Sequence, residues 1–179
     1  INLMYVVLMA MLALNISTEV LNGFSIVEES LNRTTSNSSK ENESIYSDFL
    51  EQMKTNPEKV KAWFDKATMV KQMSDSLYNY AQSLKEQIVK EADGDDADLN
   101  NIVGKDNLEA AAHVMLAPGT GQGKKLYDAI NSYRERILKM VNDDHQRQLI
   151  AENLSTKIPK KGNALGKNWQ EYMFESMPV

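Results

Sequence analysis

The chain has 179 residues, 42% hydrophobic and 25% charged, with 20 basic against 25 acidic side chains for a net charge of −5. This balance is globular, the length suffices for one domain plus an appendage, and the mild acidity argues against a nucleic-acid partner, which needs a basic face. Cysteine is absent, which excludes disulfide scaffolds, thiol redox chemistry and thiolate-bound zinc.

The first element is an unbroken apolar run from Leu3 to Leu14, and the first charge in the chain is Glu19. Eighteen uncharged residues in a helix span about 27 Å, close to the ~30 Å hydrocarbon core of a bilayer. Leu, Met and Ala favour helix, and no Pro or Gly occurs before Gly23. A secretory signal would end at a small-residue cleavage site, which Ala10 and Ala13 match poorly. A helix buried in a soluble bundle would carry a polar stripe, and residues 3–14 carry none. Residues 1–18 are therefore expected to form a transmembrane helix. The segment that follows holds Glu19, Glu28 and Glu29, with Arg33 as the one basic residue before Lys40. It lacks the Lys/Arg excess of a cytoplasmic loop, so residues 19–179 are placed on the non-cytoplasmic side.

Beyond the span the chain reads as helices, with no strand alternation and no internal repeat. Val20, Phe24, Val27 and Leu31, then Ile45, Phe49 and Met53, recur at helical spacing. Between them residues 32–44 are rich in Ser, Thr and Asn, and propensity slightly favours a linker over a continuous helix. Asn56-Pro57 starts the next helix, with Pro at its first position. Val60, Trp63, Ala67, Val70, Ser74, Leu77, Ala81, Leu84 and Ile88 form a seam in steps of three and four. A coiled-coil dimer would use that seam. Phe64, Met73 and Tyr80 widen the stripe, which favours packing within one bundle. A loop is expected over 91–107, a short apolar segment over 108–116, and a tight turn at Pro118–Gly123. One long helix is expected from about Lys124 to Asn153, with Leu126, Ile130, Tyr133, Ile137, Met140/Val141 and Leu149 inward. A basic loop from Lys157 to Gly166 and a short helix over 168–177 close the chain. The expected fold is all-α: a membrane helix, then an antiparallel helical bundle over residues 19–179.

The motifs that would carry small-molecule chemistry fail. Asp93 to Asp98 suggests a calcium loop, but the fifth, sixth and twelfth positions are Ala97, Asp98 and Gly104 where a ligand, Gly and Glu are needed. Gly119 to Lys125 suggests a phosphate loop, but Pro118 stands where its first Gly belongs and Lys125 where its Ser/Thr belongs. Lys124 likewise breaks a dinucleotide fingerprint. His113 and His145 are far apart, and His145 beside Asp143-Asp144 reads as an exposed face before it reads as a metal patch. Five Asn-x-Ser/Thr sequons, such as Asn32-Arg33-Thr34, matter only in a glycosylating host. No nucleophile–base constellation is present, so neither an enzyme nor a cofactor or metal is expected.

Three blocks carry a resemblance. They are Ile1-Asn2-Leu3-Met4-Tyr5 with Ala10-Met11-Leu12-Ala13-Leu14-Asn15-Ile16-Ser17 and Glu19-Val20-Leu21, then Lys124-Lys125-Leu126-Tyr127-Asp128-Ala129-Ile130-Asn131-Ser132-Tyr133, and Trp169-Gln170-Glu171-Tyr172-Met173-Phe174-Glu175. Together they resemble the GldM/PorM family from end to end. The resemblance implies a subunit of the type IX secretion and gliding machinery of Bacteroidetes, with one inner-membrane helix and a long, dimeric, multi-domain periplasmic region. It implies a helix pair inside a ring of a GldL/PorL-type membrane protein. That complex would turn proton-motive force into mechanical work passed to outer-membrane components. This chain would be the membrane helix and first periplasmic domain of a longer protein.

An uncharged span cannot hold the proton-binding carboxylate, so the ring must supply it. Asn2, Tyr5 and Met9 are the candidate ring contacts, with Tyr5 equally readable as an interfacial aromatic anchor. Methionines 4, 9 and 11, with Ala10 and Ala13, would give an adaptable surface for rotation inside a ring of different symmetry. Val60, Trp63, Val70, Leu77, Leu84 and Ile88 are the candidate bundle or dimer seam. A membrane-anchored sensor and a static envelope-spanning scaffold are the competing readings.

Overall fold

A computed structural model describes residues 4–7, 17–160 and 166–179. Among the described residues the chain is helical and without strands, as expected, and it divides into two compact units, Ile1–Val60 and Lys61–Val179.

In the first unit, residues 4–7 are helical and exposed. The expected membrane span rests mostly on residues 1–3 and 8–16, which lie outside the described residues. Among the described residues no helix is long and apolar enough to cross a membrane. Helix α1 spans Thr18–Thr55. Ser17 caps it, its side chain accepting from the Val20 amide at 3.3 Å, and Glu19 and Lys54 complement the helix dipole at its two ends. The linker expected over 32–44 is not there: this stretch is helix throughout. Ser, Thr and Asn each lose only a few tenths of a kcal/mol against Ala, and the tract contains neither Gly nor Pro. A break would require a second costly nucleation, so helix propagates through it from both sides. Glu29 and Arg33 add an ion pair one turn apart at 3.5 Å. No residue of α1 is buried.

Asn56 alone separates α1 from α2, Pro57–Asp93. Pro at the first helical position gives up an amide that would have no partner there. Gly94 ends the helix at φ +73°, a left-handed conformation that suits Gly. The helix runs further than expected, and a short 3-10 turn, Gly94–Asp96, follows within what was expected to be loop. The remaining loop is pulled back by Asp93, whose carboxylate accepts from the Val103 amide at 2.9 Å and the Gly104 amide at 2.7 Å.

Four further helices build the second unit. They are α3 (Ala110–Leu116), α4 (Gly123–Met140), α5 (Asp144–Asn153) and α6 (Trp169–Phe174). Asn168 and Glu171 close α6 with a reciprocal capping box, and the helix is shorter than the expected 168–177. The core gathers Ala110, Ala111 and Met115 of α3, Ile137 of α4, and Leu84 and Val89 of α2. Trp169 of α6 packs on Tyr127 of α4 at 5.6 Å between ring centres and on Phe174 at 5.9 Å. Ser74 of α2 meets Tyr133 of α4, and Tyr80 meets Gln122 just before α4. The two pairings run in opposite sequence directions, so α2 and α4 are antiparallel.

The single helix expected over 124–153 is two helices. Val141 turns extended, and Asp143 starts α5 by accepting from the Gln146 amide at 2.8 Å. Asn142 and Asp143 compete with helical backbone for hydrogen bonds, which makes this a natural break. Two arginines then staple the corner. Arg134 of α4 donates to the Leu154 carbonyl at the end of α5, at 2.9 Å. Arg147 of α5 donates to the carbonyls of Leu138 and Val141 at the end of α4. Each cation thus caps the carbonyl end of the other helix. The break resets the helical phase, so Leu149, expected inward, is exposed and Ile150 is half-buried instead. Replacing Arg147 with Met keeps the stem and leaves those carbonyls unpaired. Chemical denaturation should show a loss of about 1.5–3 kcal/mol, the range for hydrogen bonds from a charged donor. An unchanged midpoint would mean that the staple contributes nothing.

Candidate interaction surfaces

The residues singled out by sequence fall in different places. Tyr5 is 65% exposed on a short helical stretch with Met4, Val6 and Val7, all exposed. Asn2 and Met9 lie outside the described residues. On α1, Val20, Phe24, Val27 and Leu31 form an apolar stripe in steps of four, three and four, and every member is exposed.

The seam residues differ in depth along α2. Trp63 is 62% exposed, with the Lys66 ammonium 5.1 Å from its ring centre. Val60, Val70, Leu77 and Ile88 are half-buried, and Leu84 is buried. Sequence spacing missed Val89, which is as buried as Leu84. Val89 sits one position off the heptad, where α2 is covered on more than one side.

The motifs without chemistry acquire structural roles. Asp93 is engaged by backbone amides, and Asp98 accepts from the Asn100 amide at 2.8 Å. His113 of α3 faces Glu91 of α2 at 3.1 Å, a tie between two helices. His145 is exposed. No group of three or more His, Cys, Asp or Glu positioned for a metal occurs among the described residues. The glycines before α4 permit close packing. A Cβ on Gly121 would meet the Met115 carbonyl at 2.7 Å and the Ala117 carbonyl at 2.8 Å. One on Gly123 would meet Gln170 Cβ at 2.7 Å and the Met115 carbonyl at 2.8 Å.

A solvent-open groove of about 310 Å³ runs between α2 and α4. Met73, Leu77 and Ala129 form its half-buried floor, Tyr80 and Tyr133 its walls, and Gln72, Ser76, Ser132 and Arg136 its exposed rim. Ser74 Oγ and the Tyr133 hydroxyl lie 2.7 Å apart, and the Tyr80 hydroxyl donates to Gln122 Oε1 at 3.4 Å. Burial pushes the Tyr80 hydroxyl above its ordinary pKa, which keeps it a donor. Among the described residues the chain thus presents an exposed apolar stripe on α1 and a solvent-open groove between α2 and α4.

The family model described as the GldM N-terminal domain matches residues 19–179. The chain belongs to the GldM family. No curated protein matches it. Membership identifies a component of gliding motility or type IX secretion, in a family of structural or motor subunits of the inner membrane that work with GldL-type partners.

Proposed function

We propose that this chain is the membrane anchor and first periplasmic domain of a motor subunit that draws on proton-motive force. A pair of its N-terminal helices would turn inside a GldL/PorL-type ring and pass motion through the periplasm to outer-membrane secretion or gliding components. Residues 1–18 would span the inner membrane once, and residues 19–179 would form the periplasmic domain. The observation that carries the reading is the family match over residues 19–179. The form of α1 supports it. Its 38 residues make a rod of about 57 Å at ~1.5 Å per residue, and none of them is buried. A long helix with an exposed apolar stripe suits pairing with a second copy and carrying force along its axis.

Ring stoichiometry is the test. Co-purification with the neighbouring membrane protein should give a ring enclosing two copies of the helix, counted by native mass spectrometry. A helix alone in lipid would sink the motor reading. A protonophore should halt secretion or gliding, whereas indifference would favour a static scaffold. Tyr5→Phe should weaken function if the hydroxyl engages the ring, and full function would leave Tyr5 as an aromatic anchor.

A further inference from the structure

We propose that the groove between α2 and α4 receives one amphipathic helix of a partner protein, which sets apolar side chains on the groove floor and a carboxylate against Arg136. The inference stands independently of the motor reading.

The floor is apolar and adaptable, with Met73 beside Leu77 and Ala129. The walls are fixed before anything binds, because the Tyr133 and Tyr80 hydroxyls are tied to Ser74 and Gln122. Pre-set aromatic walls reduce the ordering cost of association. Tyr and Arg are also the residue types most enriched at energetic centres of interfaces. A small polar molecule fits less well. The groove is open to solvent and does not enclose a ligand the way a small-molecule pocket does. A helix fits the geometry, since two antiparallel helices present a ridged trough that accepts a third.

Charge identifies the occupant further. Near the groove, Lys71 is paired with Asp75 at 2.7 Å. Arg136 on the rim has no ion pair or hydrogen bond among the described residues. In a chain of net charge −5, an unneutralised guanidinium beside an apolar floor selects a partner side chain that is acidic.

The test uses the full-length protein in its own cells, with a photo-crosslinking amino acid at Gln72 on the opposite rim. Adducts should converge on one helical segment that carries a carboxylate about one turn from its apolar residues. Arg136→Glu should cut the yield by about tenfold or more, and reversing the partner's carboxylate to Lys should restore it. Arg136 is exposed, and an unchanged melting temperature would show that the variant folds. Ser132→Trp, which fills the trough while keeping Arg136, provides a second variant and should also abolish the adduct. Adducts to a second copy of this chain, a yield indifferent to both variants, or failure of the charge swap would overturn the proposal.

Discussion

Met115→Ala should destabilise the second unit by about 2–5 kcal/mol, the range for removing a fully buried long apolar side chain. Met115 is 2% exposed and is the largest fully buried side chain among the described residues. It lies on α3, whose carbonyl end is pressed against the start of α4, so the cavity has little room to collapse. For a unit of this size each kcal/mol lowers the melting temperature by about 4 °C, which predicts a fall of roughly 8–20 °C by circular dichroism. Trp63→Ala is the informative contrast. It removes a larger side chain, but one that is 62% exposed and contacts the Lys66 ammonium. Its loss should cost at most about 1 kcal/mol of folding stability, the worth of an exposed cation–π contact. A Trp63→Ala variant as unstable as Met115→Ala would mean that the tryptophan is core within a single chain. A variant of normal stability that assembles poorly would assign Trp63 to a contact between chains.

The contrast shows which parts of the fold were legible in the sequence. Helix content was, because apolar residues recur every three or four positions within Val20–Leu31, Ile45–Met53, Val60–Ile88 and Leu126–Val141, and nothing alternates. The start of α2 was legible too, since Pro57 after Asn56 has a single local meaning. What periodicity could not give was the depth of each residue. Val60, Trp63 and Leu84 obey one spacing, yet they range from exposed to buried. Spacing fixes the face of a helix, while depth depends on which other elements cover that face.

Two boundaries have the opposite cause: context outweighs local chemistry at one, and helical rhythm masks it at the other. Residues 32–44 looked like a linker by composition, but helical cooperativity carried through them. The break at 141–143 was hidden because Ile137, Met140, Val141 and Leu149 keep a helical rhythm across it. Its signal was present in Asn142-Asp143-Asp144, an N-cap pattern, with Arg147 four residues beyond Asp143 to hold the corner. Of the candidate surfaces, the stripe on α1 was readable as spacing. The α2–α4 groove was not, because its two walls come from residues about fifty positions apart, joined only by the antiparallel packing of the helices.

Gly123→Ala should destabilise the second unit, although the same substitution at Gly23 should stabilise α1 of the first. Alanine in place of glycine inside a helix ordinarily gains up to about 1 kcal/mol. At Gly23, within α1, a new Cβ would meet nothing within 4 Å, so that gain should be realised as a more helical, better protected α1 in hydrogen exchange. At Gly123 the new atom would sit 2.7 Å from Gln170 Cβ and 2.8 Å from the Met115 carbonyl oxygen. One neighbour is backbone and the other is the first atom of a side chain, so neither moves aside by a rotamer change. The start of α4, the end of α3 and α6 would have to separate, which costs about 1–3 kcal/mol as overpacking and outweighs the propensity gain. Gln170→Ala should not rescue the variant, because alanine keeps the offending Cβ. Gln170→Gly should rescue it only in part, because the Met115 carbonyl remains. A Gly123→Ala variant that melts at or above the parent temperature would show that α3 and α6 do not close over residue 123, and with it the packing that builds this unit around Met115 would fall.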